Sequence, residues 1–522
     1  MSGIPSAYHD VASTIDAVLA RHGVRLTIGG EPTFLPEDPV GEEWMHAAVG
    51  PGKLAAARAM ADHLLTESLP GAAAFFSPGK LYPGEQDPRW SIWLVARRDG
   101  RAVFPTTARG QCTSAALATL RAHVCRRLGL ADTWRSFVDP VPGATEVWAL
   151  LLDADPTATK PHWETWPWPE QARTLVAAAG PAGLRLPLTL LEGDVPRRSL
   201  SLEWRDDRLA IFLPPVLQPG FLQLLDTLCE AAERAGLADI DLQGSLPPDE
   251  ADLWIRLGLA ADPGVLEVNL PACEGWAEYD RWIRAVSQAA DAAGLRPWRR
   301  AADGRRGETG GGNHLLWGSP TQTDHPFFTR PGWLAGILRY WQRHPSLSYC
   351  FTGDYLGPCS QAPRADESGQ ELHDLDWTWA YLATLPPGDR RQEIADAIRH
   401  LQADHSGNTH RTEISFDKFW FPDFPGGGQG LVEFRAIAMM PEVEWASGVA
   451  LLWSALAAWL LERPYTEPLV DHGKRLHDQF FLPSALWRDL EQVLADLDSG
   501  GFPLPSDMYR AIWGWRFPRV LE

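Results

Sequence analysis

Apolar positions recur at helical spacing over residues 10–22 (DVASTIDAVLARH), and the pattern stops at Gly23, a residue suited to closing a helix. The next run, VRLTIGGEPTF, predicts a strand entering a Gly29-Gly30 turn with Glu31 just beyond it. Helices are predicted over 52–67 and about 113–129, separated by the turn-rich FFSPGKLYPGEQDPRW and the strand SIWLVARR. From about 140 to 218 the texture changes to Pro, Trp and short apolar runs (PHWETWPWPE, RLPLTLL, SLSLEW, LAIFLPP), which predicts a β-rich insertion or subdomain. Helical spacing resumes at 220–236, 280–293 and 331–343, with the strand GVLEVNL and the glycine run GETGGGNH between them. HRTEISFDKFW and GLVEFRAIAMM predict two further strands, and the apolar stretch within 443–462 a helix too short and too punctuated to span a bilayer. No internal repeat is apparent. The sum is an α+β fold in which β-segments carry the polar residues beneath helices. Its expected parts are a core begun by 1–139, the β-rich insertion 140–218, a second core part 219–470 holding GGGNH, HRTEI and VEFR, and a closing helical or irregular segment 471–522.

At 522 residues the chain has room for two or three units or one large core. Its 45% apolar and 22% charged residues are those of a globular protein. The 25 tryptophans serve either to fill the core or to stack on a ligand. Lys and Arg number 47 against 67 Asp and Glu, a formal charge of −20. That sign repels a phosphate backbone and anionic lipid, so neither nucleic acid nor a membrane surface is expected as partner. It is tolerable for an enzyme that recruits divalent cations, though many soluble proteins are acidic with no such purpose. The six cysteines are far apart with no CxxC pair, which argues against a disulfide framework or structural zinc. The N-terminal residues lack the basic-then-apolar order of a signal peptide, and no apolar run approaches the ~20 residues of a membrane span, so a cytoplasmic protein is expected.

Four strand-like segments deliver charge where alternation favours apolar residues: Glu31 after LTIGG, Glu267 and Asn269 in LEVNL, Arg411 and Glu413 in HRTEI, Glu433 and Arg435 in LVEFR. Period 2 puts each pair on one face of its strand. Cross-strand salt bridges on a surface sheet would account for any one of them. Four together point to a site, since carboxylates suit magnesium and guanidinium forks suit the oxygens of a polyphosphate. Gly310, Gly311 and Gly312 permit close backbone approach to a ligand and precede Asn313 and His314, a positioned metal ligand compatible with magnesium or manganese among carboxylates. No GxSxG, HExxH or GxxxxGK[ST] motif occurs in a supporting context.

In order along nearly the whole chain, LTIGGEPTF, KLYPGE, PAGLRLPL, DPGVLEVNLPA, GGGNH, HPSLSY, SQAPRADE, NTHRTEISFDK, GLVEFRA, LHDQFFLP and RFP resemble a bacterial amidoligase family. That family is grouped with the glutamine-synthetase and glutamate–cysteine-ligase fold and is often fused to or encoded beside transglutaminase-like domains. The resemblance implies a mainly antiparallel catalytic sheet lined with acidic and Arg residues. It implies ATP and magnesium or manganese as cofactors, and an amide or peptide-type bond formed through an acyl phosphate. GGGNH and VEFR look like the metal-binding His loop and the E-x-R strand of glutamine synthetases. By that likeness Glu31, His314 and Glu433 hold the metal on the nucleotide side and Glu267 belongs to a second metal position. Arg364, Arg411 and Arg435 contact phosphates, with Glu413 beside them at the catalytic centre. Lys80, Gly311, Gly312 and Asn313 belong to the nucleotide-binding set.

The chain departs from the family pattern in three places. Ser77-Pro78 precede Gly79-Lys80 where GQGKW is usual, Gln243-Gly244-Ser245 replaces an acidic EGY segment, and Ala438 falls where FEMPP supplies a carboxylate. The implied partners are a small acid or peptide carboxylate and an amine, with ATP-grasp, helical or transglutaminase-like proteins in the same pathway. Two rival readings follow: a catalytically degenerate ligase fold that binds a peptide or protein partner, and an ATP-dependent kinase of the same fold.

Overall fold

The computed structural model describes residues 6–79, 81–83, 85, 88–105, 110–154, 161–205, 208–249, 252–322, 325–367, 372–422 and 428–518. Two compact units divide the chain: Met1–Ala56 with Asp262–Glu522, and Ala57–Ala261. Each is a mixture of helices and mostly antiparallel strands.

In the first unit the strand order is Ile414–Ser415, Val432–Phe434, Asn313–Gly318, Thr27–Pro36, Val265–Asn269, every neighbour antiparallel. Thr27–Pro36 is buried along almost its whole length. Gly29 and Gly30 lie inside this strand and not in a turn, a correction to the sequence reading. A Cβ on Gly30 would stand 3.0–3.2 Å from the Tyr279 ring, its hydroxyl and Leu270, so the glycine is there for close packing. HRTEISFDKFW and GLVEFRAIAMM contribute only short strands, and the residues flanking them are irregular.

The helix Trp276–Ala292 buries Tyr279, Trp282, Ile283, Val286, Ala289 and Ala290, which recur every three or four residues and form one face. Val443–Glu462 is apolar on all sides because helices of the same unit surround it, among them Ser6–Arg21, Trp276–Ala292 and Pro331–Arg343. Contrary to the sequence reading, this 20-residue helix is long and apolar enough to cross a membrane by length and composition; 83% of its most apolar stretch is buried in the fold.

The second unit has the order Trp254–Asp262, Trp90–Arg97, Ala73–Pro78, Ile240–Gly244, Arg208–Leu213, Ser199–Arg205, Ala144–Ala154, Arg135–Phe137, with only the two pairings of Ile240–Gly244 parallel. The stretch 140–218 thus supplies consecutive strands of this sheet. Helices Ser114–Leu128 and Gln218–Ala235 cover one face through Leu117, Leu120, Leu224 and Leu228. Thr113 caps the first of these by accepting the Ala116 N–H, and Gly129 and Gly236 close them at φ 71° and 68°. Phe137, Val147, Leu151, Trp168 and Leu186 form a smaller separate core.

Candidate functional site

Register brings three acidic and imidazole side chains to one face of the first unit's sheet. Glu31 pairs directly with His314, and Glu433 pairs with Leu316, two residues along on the same face. His314 Nδ1 lies 3.2 Å from Glu31 Oε2 and 3.4 Å from Glu433 Oε1. One ligand atom from each of the three falls within 4.8 Å of the others, and all three residues are buried. Gly312 is what admits the imidazole, since a Cβ there would stand 2.2 Å from His314 Nε2.

Two cations complete the cluster. Lys418 reaches in from the turn after Ile414–Ser415, its Nζ 2.7 Å from Glu31 Oε1 and 3.5 Å from Glu433 Oε2. Arg435 donates from Nη1 to Glu433 Oε1 at 2.6 Å, while its backbone N–H donates to the Glu413 carbonyl at 2.8 Å. Burial works against every one of these charges, and the neighbours decide the outcome. Lys418, with His314, outweighs burial and Glu433 to hold the Glu31 carboxyl down at about 2. Against the same penalty, Lys418, Arg435 and His314 hold Glu433 well below the usual range. Burial and Arg435 press His314 towards the neutral form, but the two carboxylates raise its pKa above the ordinary value.

This donor set fits a divalent cation. Two carboxylates and an imidazole nitrogen converge, and Glu433 Oε2 is buried with no hydrogen-bond partner among the described residues. Carboxylate oxygens suit magnesium or manganese; the imidazole nitrogen suits zinc better but is compatible with either. Beside the cluster lies a cavity of about 160 Å³ lined by Gly310, Gly311, Gly312, Glu308, Arg435 and Ala438. Ala438 forms an isolated antiparallel bridge with Gly312.

The other sequence candidates lie elsewhere. Glu267 pairs with Thr33 and so shares the sheet face, but it stands outside the 4.8 Å group, its Oε1 accepting from Asn269 Nδ2 at 3.2 Å. Asn313 turns to the opposite face, where its amide donates to Tyr279 Oη at 3.3 Å. Gly311 packs on Thr33, which a Cβ would meet at 2.9 Å. Arg364 is wholly buried, donating to the carbonyls of Trp341 and Gln342 and to both Asp366 oxygens. Four of its five N–H groups are thus committed to bracing the chain. Glu413 accepts from Ser348 Oγ and stands 3.6 Å from Arg364; burial, and then Asp366, raise its pKa to about 7 against the pull of Arg364. Arg411 sits in an irregular segment ahead of its strand and donates to the carbonyls of Pro358 and Ser360 and to Asp404. Lys80 lies outside the described residues. Ser77 and Gln243 belong to the second unit, on strands paired in parallel, and Ser77 Oγ donates to the Gly244 carbonyl.

Lys418 is the site residue that the sequence reading passes over. One signal was available: the chain has only Lys53, Lys80, Lys160, Lys418 and Lys474 among its 47 Lys and Arg. An ammonium kept where arginine is the usual cation marks a place that takes a compact point charge.

A family model described as "Putative amidoligase enzyme" matches residues 6–130 and 191–522. The unmatched residues 131–190 include the strands Arg135–Phe137, Ala144–Ala154 and Trp163–Trp166. No curated protein matches the chain.

Proposed function

The chain belongs to this amidoligase family, and on that premise we propose that it is an ATP- and divalent-metal-dependent carboxylate–amine ligase. The observation that carries the reading is the convergence of Glu31, His314 and Glu433 beside Arg435 and a glycine-lined cavity. A carboxylate oxygen of the acid substrate attacks the γ-phosphorus of ATP; the new O–P bond replaces the bond to the β-phosphate oxygen, and ADP leaves. The amine then attacks the acyl carbon, a C–N bond replaces the C–O bond, phosphate leaves, and the nitrogen gives up a proton. Glu31, His314 and Glu433 would hold magnesium or manganese, which when bound draws charge from phosphate oxygens. Arg435 is fixed through Nη1 to Glu433, and its buried Nε has no partner among the described residues. A guanidinium anchored on one side with a donor to spare is organised to receive an oxyanion.

A second reading draws on Lys418. Its ammonium already neutralises Glu31 and Glu433, as it would in a ligase fold that has given up its metal and binds a partner without catalysis. Calorimetry of ATP with and without magnesium, followed by an assay for hydroxamate and ADP with hydroxylamine and a panel of acids, separates these possibilities. The ligase reading expects metal-tightened nucleotide binding and hydroxamate. ADP release without hydroxamate favours a kinase, and absence of nucleotide binding leaves the partner-binding reading.

A further inference from the structure

The RFP motif near the C-terminus has no role in the chemistry described so far, yet it lines a cavity. Arg516 and Pro518, with Trp515 before them, face Arg305, Arg306 and Glu308 across a space of about 120 Å³. This space and the cavity beside Arg435 share Glu308, Thr352, Gly353 and Asp354, so the two adjoin as a groove reaching from the C-terminal helix Ser506–Arg516 to Arg435. Trp515 Nε1 donates to the Arg306 carbonyl at 2.9 Å and ties the helix end to the wall of the groove.

The walls of this groove carry charge of both signs, part of it already paired: Arg306 with Glu442, Arg305 with Asp303 and Arg435 with Glu433. Arg516 is largely buried and lies 5.1 Å over the Phe517 ring; among the described residues its Nε has no hydrogen-bond partner and no carboxylate stands within ion-pair distance of it. Burial, the largest influence, pulls its pKa down despite the more distant Asp354 and Glu308. Arg435, nine-tenths buried, brings a second unpartnered Nε to the other end. Between them Glu308 Oε1 accepts the Asp354 N–H at 3.1 Å, its one hydrogen bond among the described residues, and burial raises its carboxyl pKa, offset in part by Arg516 and Arg299. A desolvated cation and a desolvated anion, each short of a partner, both require compensation. A polyphosphate would satisfy the arginines but be repelled by Glu308 and Asp354. A zwitterion satisfies both sets.

We propose that this groove binds a free α-amino acid as the amine substrate, its carboxylate on Arg516 and its ammonium on Glu308 and Asp354, where the space opens towards Arg435. The proposal rests on the ligase reading of the neighbouring cluster and names its substrate class. The amine lies at the junction of the two cavities, on the side from which an acyl group held beside Arg435 is attacked. Before that attack the ammonium gives its proton to the Glu308 carboxylate, and the freed nitrogen pair forms the C–N bond as phosphate leaves.

The test is calorimetry on the full chain, with and without ADP and magnesium, using L-alanine, L-glutamate and L-lysine as amino-acid probes and propionate and ethylamine as the two halves of alanine. At least one amino acid should bind, and alanine should bind about tenfold or more tightly than either half. Arg516→Gln should weaken alanine and propionate about tenfold and spare ethylamine, whereas Glu308→Gln should weaken alanine and ethylamine and spare propionate. Arg516→Gln should keep wild-type affinity for magnesium–ATP, and both variants should unfold in denaturant as cooperatively as wild type, which certifies that they are folded. If magnesium–ATP binds but no amino acid does, or if both variants bind alanine as wild type does, the subsite is refuted and the ligase reading stands. Amino-acid binding with this charge pattern but no nucleotide binding would sink the ligase reading and leave the subsite.

Discussion

Replacing Lys418 with methionine removes one charge from the centre of the site and keeps most of the side chain's bulk. The ammonium sits 2.7 Å from Glu31 and 3.5 Å from Glu433, whose side chains are 7% and 1% exposed. Removing one member of a buried ion pair typically costs about 3–5 kcal/mol, because the remaining charge keeps its desolvation penalty. Two carboxylates lose a partner here, but Arg435 stays on Glu433 and His314 between them can hold a proton, so a loss near the lower figure, about 3 kcal/mol, is expected. If the cluster is a divalent-cation site, that loss is reversible. An ion at 100 times its dissociation constant returns ~2.7 kcal/mol, nearly the whole deficit. The wild type should gain less from the same ion, which has to displace or share space with the ammonium. Denaturant unfolding of both proteins in chelator, magnesium and manganese measures all three quantities, and manganese calorimetry gives the affinities directly. The reasoning is refuted if Lys418→Met is as stable as wild type in chelator, or if its deficit persists in every divalent ion tested.

Other substitutions separate the remaining roles. Glu433→Gln should weaken divalent-ion binding by about 100-fold or more and abolish measurable turnover, as read by manganese calorimetry and ADP release. Arg435→Lys keeps the charge but loses the planar fork, so metal affinity should hold while turnover falls by about 100-fold; an unchanged rate would remove Arg435 from the phosphate site. Arg364→Met should lower stability by about 3–5 kcal/mol and leave the magnesium–ATP affinity of the folded protein alone, since every contact of Arg364 is internal. Glu413 has a folded pKa of about 7 against an ordinary 4.5, so folding favours its protonated form. Its stabilising contribution is complete below about pH 4.5 and is lost as pH rises to about 7, roughly 3 kcal/mol in all; Glu413→Gln should flatten stability over that window.

The residues legible in the sequence were those whose charge conflicts with their surroundings. Glu31, His314 and Glu433 each interrupt apolar strand patterning, and alternation puts Glu433 and Arg435 on one face without any knowledge of partners. Their convergence was not legible, because it depends on register: a slip of one residue between Thr27–Pro36 and Asn313–Gly318 would turn His314 to the other face, where Asn313 now meets Tyr279. Arg364 and Arg411 show a second limit. In a one-dimensional string a guanidinium that grips phosphate and one that braces carbonyls read alike, and only the fold shows Trp341, Gln342, Pro358 and Ser360 already using these donors. Gly29-Gly30 misread as a turn for a related reason. Gly30 packs on Tyr279, which lies 249 residues away in sequence.

The charge balance of the cluster bears on how ligands enter it. Glu31 and Glu433 contribute two negative charges, Lys418 and Arg435 two positive ones, and His314 adds a third positive charge when it holds its proton. Before any ligand binds, the cluster is therefore neutral or slightly positive. A bare divalent ion would displace the proton from His314 and still leave a buried surplus of two positive charges, an unfavourable arrangement in a poorly solvated space. A polyphosphate alone meets two carboxylates. Together they avoid both penalties, the ion between Glu31 and Glu433 offsetting part of the phosphate charge and the phosphate oxygens turned towards Arg435 and the glycine turn. On this balance the proposed site is expected to take the metal as its nucleotide complex, with weak binding of free ion to the wild type. Lys418→Met shifts the starting charge by −1 and should permit the ion to bind alone, so the ratio of manganese affinities measured with and without ATP should fall sharply in that variant. An unchanged ratio would mean that Lys418 does not set the charge of the site, and the coupling of metal to nucleotide would have to come from elsewhere in the fold.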